Sequence, residues 1–147
     1  YNTISKKNIL NINAKVILYL LLVLGIAPGL IVNVILKDNW GRPRPAQTIE
    51  FGGTMNFTPA YIPSKQDGYS FSSGHAAAAF SIMGFALLAK RRRKLWMSLA
   101  LTYGTLVGIA RMAAGGHFLS DVITSFFIVY IFTHIFYKLI FKEESDA

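Results

Sequence analysis

The chain has 147 residues, of which 53% are hydrophobic and 15% charged, and its 15 Lys and Arg against 7 Asp and Glu give a formal net charge of +8. Soluble domains carry about 25% charged residues, so this composition excludes an ordinary soluble globule, and the apolar content excludes a disordered chain. The lack of cysteine excludes disulfides and thiolate metal sites. Because the basic residues lie in short breaks between long apolar runs, they indicate a membrane protein and no nucleic-acid partner.

Four uncharged apolar runs predict the membrane spans, at residues 16–36, 70–89, 95–110 and 122–137. The first has 21 residues, and about 20 are needed to cross a hydrocarbon core. The last two have 16 residues each, so their helices should extend into the flanking polar residues. A soluble protein with a buried helical core is the alternative, but four such runs leave little chain for a polar exterior. We therefore predict an all-α transmembrane helical bundle with four visible spans, forming one domain over residues 1–147.

The distribution of basic residues predicts the orientation. With four crossings, ten of the 15 fall on one side, including the run at 90–94, and the positive-inside rule places that side in the cytoplasm. The other five lie on the outer side: Lys37, Arg42, Arg44, Lys65 and Arg111. The chain begins with Tyr1 rather than Met, so we expect it to be N-terminally truncated, with further spans upstream.

Three polar clusters fall on that outer side and together suggest chemistry on an anion. The basic side chains provide fixed positive charge, and guanidinium groups match phosphate oxygens bidentately. Residues 73–75 open the second span, where free backbone N–H groups favour an anion and a glycine permits close approach. The clusters are Lys37 to Pro45, Ser72-Ser73-Gly74-His75, and Arg111 with His117 and Asp121.

The two imidazoles of these clusters suggest a nucleophile and an acid. His117 and Asp121 are four residues apart, so on a helix the carboxylate can hold one imidazole nitrogen and leave the other free to attack. His75 can protonate a leaving alkoxide. We expect no metal ion and no cofactor, because the cations around this spot would repel a divalent ion and no H-E-x-x-H pattern occurs. His134 lies within the last span and is expected to be structural.

The spacing of these residues resembles the three-part signature of the type 2 phosphatidic acid phosphatases, integral membrane lipid phosphatases whose site is similar to that of vanadium haloperoxidases. The resemblance covers roughly residues 16–137 and implies that His117 forms a phosphohistidine, that Asp121 orients it and that His75 is the general acid. It also implies that the phosphoryl oxygens are held by Lys37, Arg44, Ser73, Gly74 and Arg111. The sequence departs from the pattern at Ser72, where proline is usual, and at Ala110, where serine is usual.

The resemblance implies a bacterial inner-membrane lipid phosphatase with its active site on the outer face. The sequence around Arg42 is similar to members acting on lipid A or phosphatidylglycerophosphate, and Arg42 itself is expected to contact either substrate or lipid headgroups. The expected partners are a lipid phosphate substrate and membrane lipids, with headgroup selection in the loop at 48–69. A non-catalytic anion-binding or transport protein is the alternative, and a vanadate-dependent haloperoxidase is a third option that the apolar spans disfavour.

Overall fold

The computed structural model describes residues 14–141, and these are helical apart from the loops and one isolated β-bridge between Thr48 and Met55. The all-α prediction is confirmed. The first helix, α1, continues directly into a π-helical segment and then into the short α2. The helices are α1 Ala14–Leu24, the π-helical segment Gly25–Leu36, α2 Lys37–Trp40, α3 Gly74–Phe80, α4 Met83–Leu88, α5 Arg93–Ala113 and α6 Leu119–Phe141.

Three stretches are long and apolar enough to cross a membrane: Ala14–Gln47, in which residues 41–44 are not helical, Arg93–Ala113 and Leu119–Phe141. As predicted, the last two extend beyond their uncharged runs into flanking polar residues. The fourth apolar run forms a shorter helical stretch, Gly74–Leu88, which covers about 22 Å at the α-helical rise per residue. It begins four residues later than the predicted run, and it is interrupted at Ser81 and Ile82.

The π-helical segment is explained by Pro28, which lies inside it. Proline has no N–H to donate, and its ring crowds the carbonyl one turn earlier. The wider turn accommodates this defect, and at its end the N–H of Lys37 donates to the carbonyl of Val32, five residues back. The carbonyl of Pro28 accepts a 2.7 Å hydrogen bond from the side-chain amide of Asn33.

Small residues bring the helices close together. A Cβ added at Gly104 of α5 would overlap the ring of Phe80 on α3, and one at Gly108 would lie 2.5 Å from Cγ1 of Val122 on α6. Helix α3 therefore packs against α5 and α6 around a core that is mostly alanine, valine and one phenylalanine. This core fixes the start of α3 beside the end of α5 and the start of α6.

The bundle has two distinct ends. Tyr19 near the start of α1 packs edge-on against Tyr137 and Phe141 near the end of α6, so these helices run in opposite directions. The ends of the first span and of α5, and the starts of α3 and α6, consequently meet at the other end. A long loop, residues 41–73, folds over that end and is tied to the α5–α6 turn by a 3.1 Å hydrogen bond from Ala46 N–H to the Gly115 carbonyl.

Candidate active site

His117 precedes α6 and is buried, with 3% of its surface exposed. Its Nδ1 lies 2.7 Å from the backbone carbonyl oxygen of Ser70. A carbonyl can only accept a hydrogen bond, so Nδ1 must carry the proton and, in the neutral ring, Nε2 keeps its lone pair. The contact therefore selects the tautomer in which Nε2 can act as a nucleophile.

Asp121 is fully buried on the first turn of α6, and three donors surround its carboxylate. Ser70 Oγ donates to it at 2.5 Å, the backbone N–H of Phe118 donates at 2.8 Å, and the guanidinium of Arg42 completes the set. Asp121 lies beside His117, although His117 precedes the helix, and the Asp121 carboxylate is 3.8 Å from Nδ1. The carboxylate thus holds Ser70, and the carbonyl of Ser70 holds the imidazole.

Arg42, which is expected to contact substrate or lipid headgroups, is engaged by protein groups in the structure. Only 2% of its surface is exposed. Its guanidinium forms the ion pair with Asp121, donates at 2.9 Å to the Thr58 carbonyl and to Ser120 Oγ, and lies 4.3 Å from the centre of the Phe118 ring. Because these partners engage Arg42 on the inner side of the loop, it anchors residues 41–73 to α6.

The start of α3 is tied to the same network. Ser73 caps the helix, its Oγ accepting from the N–H of Ala76 at 3.4 Å. Ser125 Oγ, one turn after Asp121, lies 2.9 Å from the Ser73 carbonyl and 2.8 Å from the Asp121 carbonyl. A Cβ at Gly74 would overlap the side-chain oxygen of Asn33, so a larger residue at that position would require the Asn33 side chain to move.

His75 is exposed at the end of the bundle where the site lies. It belongs to α3, which is not part of the three stretches long enough to span a membrane. Lost hydration lowers the pKa of its imidazole, and neighbouring side chains lower it further. Those neighbours are Arg111, His117, Lys37 and Arg44. The structure therefore gathers around one imidazole the second histidine and three of the cations that the sequence singled out.

Arg111, at the end of α5, carries an unmet hydrogen-bonding capacity. Its Nε is buried and has no partner among the described residues. Buried donors are almost always satisfied in proteins, and the guanidinium that carries this one acts electrostatically on His75. Over residues 14–141, no three His, Cys, Asp or Glu side chains cluster in the way that metal ligands do.

Comparison with known proteins identifies the family of this chain. The family model described as the PAP2 superfamily matches residues 17–145. The chain belongs to the PAP2 superfamily. All three PAP2-like clusters therefore lie within the matched region, and the structure brings them to one end of the bundle.

Among curated proteins, this PAP2 chain is similar to three called lipid A 4'-phosphatase. It is 40% identical to that of Francisella tularensis subsp. novicida (strain U112), over 89% of this chain and 61% of the relative. It is 38% identical to that of Rhizobium leguminosarum, over 67% of this chain and 43% of the relative. The third, from Rhizobium etli, is 40% identical over 66% of this chain. The chain thus spans about two fifths to three fifths of these relatives, and no solved structure matches it.

Two contributors to this PAP2 site escaped the sequence reasoning. Ser70 acts through its backbone carbonyl as well as its hydroxyl, and no motif marks a carbonyl. Ser125 follows Asp121 by four residues, so helical periodicity was the available signal for it. Ser72, where the usual pattern has proline, is fully buried and its hydroxyl has no partner among the described residues.

Proposed function

We propose that this chain is a bacterial membrane lipid phosphatase that hydrolyses a phosphate monoester or pyrophosphate of a lipid headgroup, with a lipid A-type substrate favoured. The observation that carries the proposal is the 2.7 Å contact between His117 Nδ1 and the Ser70 carbonyl, which leaves Nε2 of the neutral imidazole unprotonated. The names of the relatives support the substrate class.

In this proposal Nε2 of His117 attacks phosphorus and forms a P–N bond as the P–O bond to the lipid breaks. His75 gives its proton to the departing oxygen. It then takes a proton from the water that hydrolyses the phosphohistidine, which releases phosphate and restores both histidines. Each bond made is matched by one broken, and the reaction needs no reactant besides water.

The surrounding charges suit the change in charge during this reaction. Phosphoryl transfer is catalysed mainly by positioning and electrostatic stabilisation. Lys37, Arg44 and Arg111, with Ser73 and the Gly74 amide, are assigned to the phosphoryl oxygens. As His117 becomes positively charged on attack, the carboxylate of Asp121, 3.8 Å from Nδ1, stabilises that charge.

The proposed location is the inner membrane, with the site on the periplasmic face. The exposed basic run at 90–94 covers the turn after α4 and the first two residues of α5, at the end of the bundle opposite His117. This arrangement agrees with the positive-inside rule. Apolar spans would keep the lipid tails in the bilayer while the headgroup reaches the site.

The test is phosphate release by the detergent-solubilised protein from phosphatidic acid, phosphatidylglycerophosphate, undecaprenyl pyrophosphate and lipid A. His117→Ala should abolish release and eliminate an acid-quenched phosphoenzyme. The matched control is His134→Ala, a histidine of α6 that contacts the Tyr130 carbonyl and lies about 25 Å along the helix from His117. Tight phosphate binding without a phosphoenzyme would favour the alternative, a non-catalytic anion-binding protein. Full activity of His117→Ala would refute the nucleophile assignment.

A further inference from the structure

A cavity of about 530 Å³ lies beside His117. Loop residues Pro45, Ala46 and Phe51 form one side of it, and the end of α5 and the start of α6 form the other. Apart from His117 its walls are mostly apolar, although it opens at the end of the bundle where the cations gather. This cavity can therefore receive a hydrocarbon portion of a molecule whose charged group lies at His117.

A second cavity, of about 500 Å³, lies between α5 and α6 and is almost entirely apolar. Its α5 wall contains Leu101, Thr105 and Ile109, and its α6 wall contains Val122, Ile123 and Phe126. Spacings of three and four residues place each set on one face of its helix. Because Met112 and Leu119 line both cavities, the two adjoin.

The packing of α3 explains why there is a crevice between α5 and α6. Phe80 inserts against α5 at Gly104 and lines the second cavity, and Val122 approaches α5 at Gly108. The two helices are thus held by side chains at Gly104 and Gly108, and the apolar cavity lies between them. It adjoins the cavity that His117 lines.

We propose that the two cavities form one groove that holds an acyl chain of the lipid phosphate while its phosphate lies at His117; this inference rests on the proposed function. The distribution of charge along the groove indicates which molecule occupies it. His117 is part of the groove wall, and Lys37, Arg44 and Arg111 act electrostatically on His75, as His117 does. Because the remaining lining is apolar, the groove is complementary to an amphiphile with an anion at one end. A protein helix would fill the apolar part without satisfying the cations.

The first test uses the lack of cysteine in the chain, so that Ile123→Cys and Ile131→Cys each introduce a single thiol. The two isoleucines lie on α6 with 42% and 48% of their surfaces exposed, but only Ile123 lines the groove. A nonhydrolysable long-chain phosphonate should slow alkylation of the thiol at 123 about tenfold and leave the thiol at 131 unchanged, while inorganic phosphate should protect neither.

Equal protection at both positions, or at neither, would overturn the groove. So would protection at 123 that needs no phosphonate and rises with protein concentration, because a second copy of the chain would then be the occupant. Failure of the proposed function looks different: no phosphate is released from any lipid, although the phosphonate still protects position 123.

The second test is kinetic and uses Ile123→Trp with Ile131→Trp as its control. Filling the groove should reduce kcat/KM about tenfold for a long-chain lipid phosphate. Hydrolysis of a water-soluble phosphate ester without an acyl chain should be unaffected. A loss of the same size for both substrates, or in both variants, would contradict the assignment.

Discussion

The guanidinium of Arg42 forms an ion pair with the carboxylate of Asp121, although the two residues are 79 positions apart in the sequence. Both are almost completely buried, and the pair joins the loop over the site to the first turn of α6. Asp121 also accepts a hydrogen bond from the Ser70 hydroxyl, and the Ser70 carbonyl binds His117. The ion pair therefore helps to position His117 through Ser70.

Replacing Arg42 should destabilise the protein through the carboxylate that is left behind. Arg42→Gln should lower the free energy of unfolding by about 3–5 kcal/mol, because a buried charge loses its partner. Arg42→Lys should lose less. Adding Asp121→Asn to Arg42→Gln should restore part of the stability, and thermal unfolding in detergent measures all three variants. Strictly additive losses in the double variant would show that the pair is not coupled.

Removing the Ser70 hydroxyl should slow catalysis without unfolding the protein. Ser70→Ala keeps the carbonyl that binds His117 but deletes the 2.5 Å hydrogen bond to Asp121. Hydrogen bonds to charged groups contribute about 1.5–3 kcal/mol, so we expect kcat to fall by at least about tenfold with a smaller change in KM. Ser81→Ala is the control, because Ser81 is equally buried but bonds only within its own helical turn. Unchanged kcat in Ser70→Ala would separate Asp121 from the alignment of His117.

The pKa of His75 should depend on whether an anion is bound. In the free protein, lost hydration and the neighbouring positive side chains disfavour the imidazolium and hold this pKa below its ordinary value of 6.5. A bound phosphate or vanadate offsets those charges, so its binding should raise the pKa and bring a proton to His75. Histidine NMR titration with and without the anion measures this, with His75→Gln assigning the signal. A pKa that does not move would place the anion elsewhere.

Helix packing at Gly104 should tolerate no side chain. Gly104→Ala should lower the free energy of unfolding by about 1–3 kcal/mol, because the new methyl group would overlap the Phe80 ring. Gly25→Ala is the matched control in another membrane helix, since a Cβ there meets nothing within 4 Å. Thermal unfolding of the two variants should therefore differ clearly, and equal midpoints would contradict the close packing of α3 against α5.

The sequence predicted those features that a single segment determines. Uncharged runs reveal spans because the bilayer excludes charge along a whole helix, and this holds for α5 and α6. The sequence analysis did not predict the division of the second run into α3 and α4, because nothing in the composition of the run marks a break. At that break the hydroxyl of Ser81 donates a hydrogen bond to the Ala78 carbonyl. Pro28 is visible in the sequence, but the π-helical form around it depends on how the first span packs.

The roles of Arg42 and Ser70 were beyond the reach of sequence spacing. The sequence around an arginine two residues before Arg44 is the same whether its side chain faces a lipid or a buried carboxylate. The direction of the Arg42 side chain is set by its hydrogen bonds to Thr58 in the loop and to Ser120 and Asp121 on α6. Likewise the helical spacing of His117 and Asp121 was read as direct contact, whereas the chain passing between them at Ser70 supplies the nearer acceptor.

That acceptor is a peptide oxygen, which every amino acid carries, and this has a consequence for how the site varies. A saturation library at position 70 would alter the hydroxyl but never delete the group that sets the imidazole tautomer. Proteins with quite different residues there can share the same nucleophile, provided that the main chain follows the same course past it. The orientation of His117 thus depends on the course of the main chain at position 70, which a comparison of side chains alone would overlook.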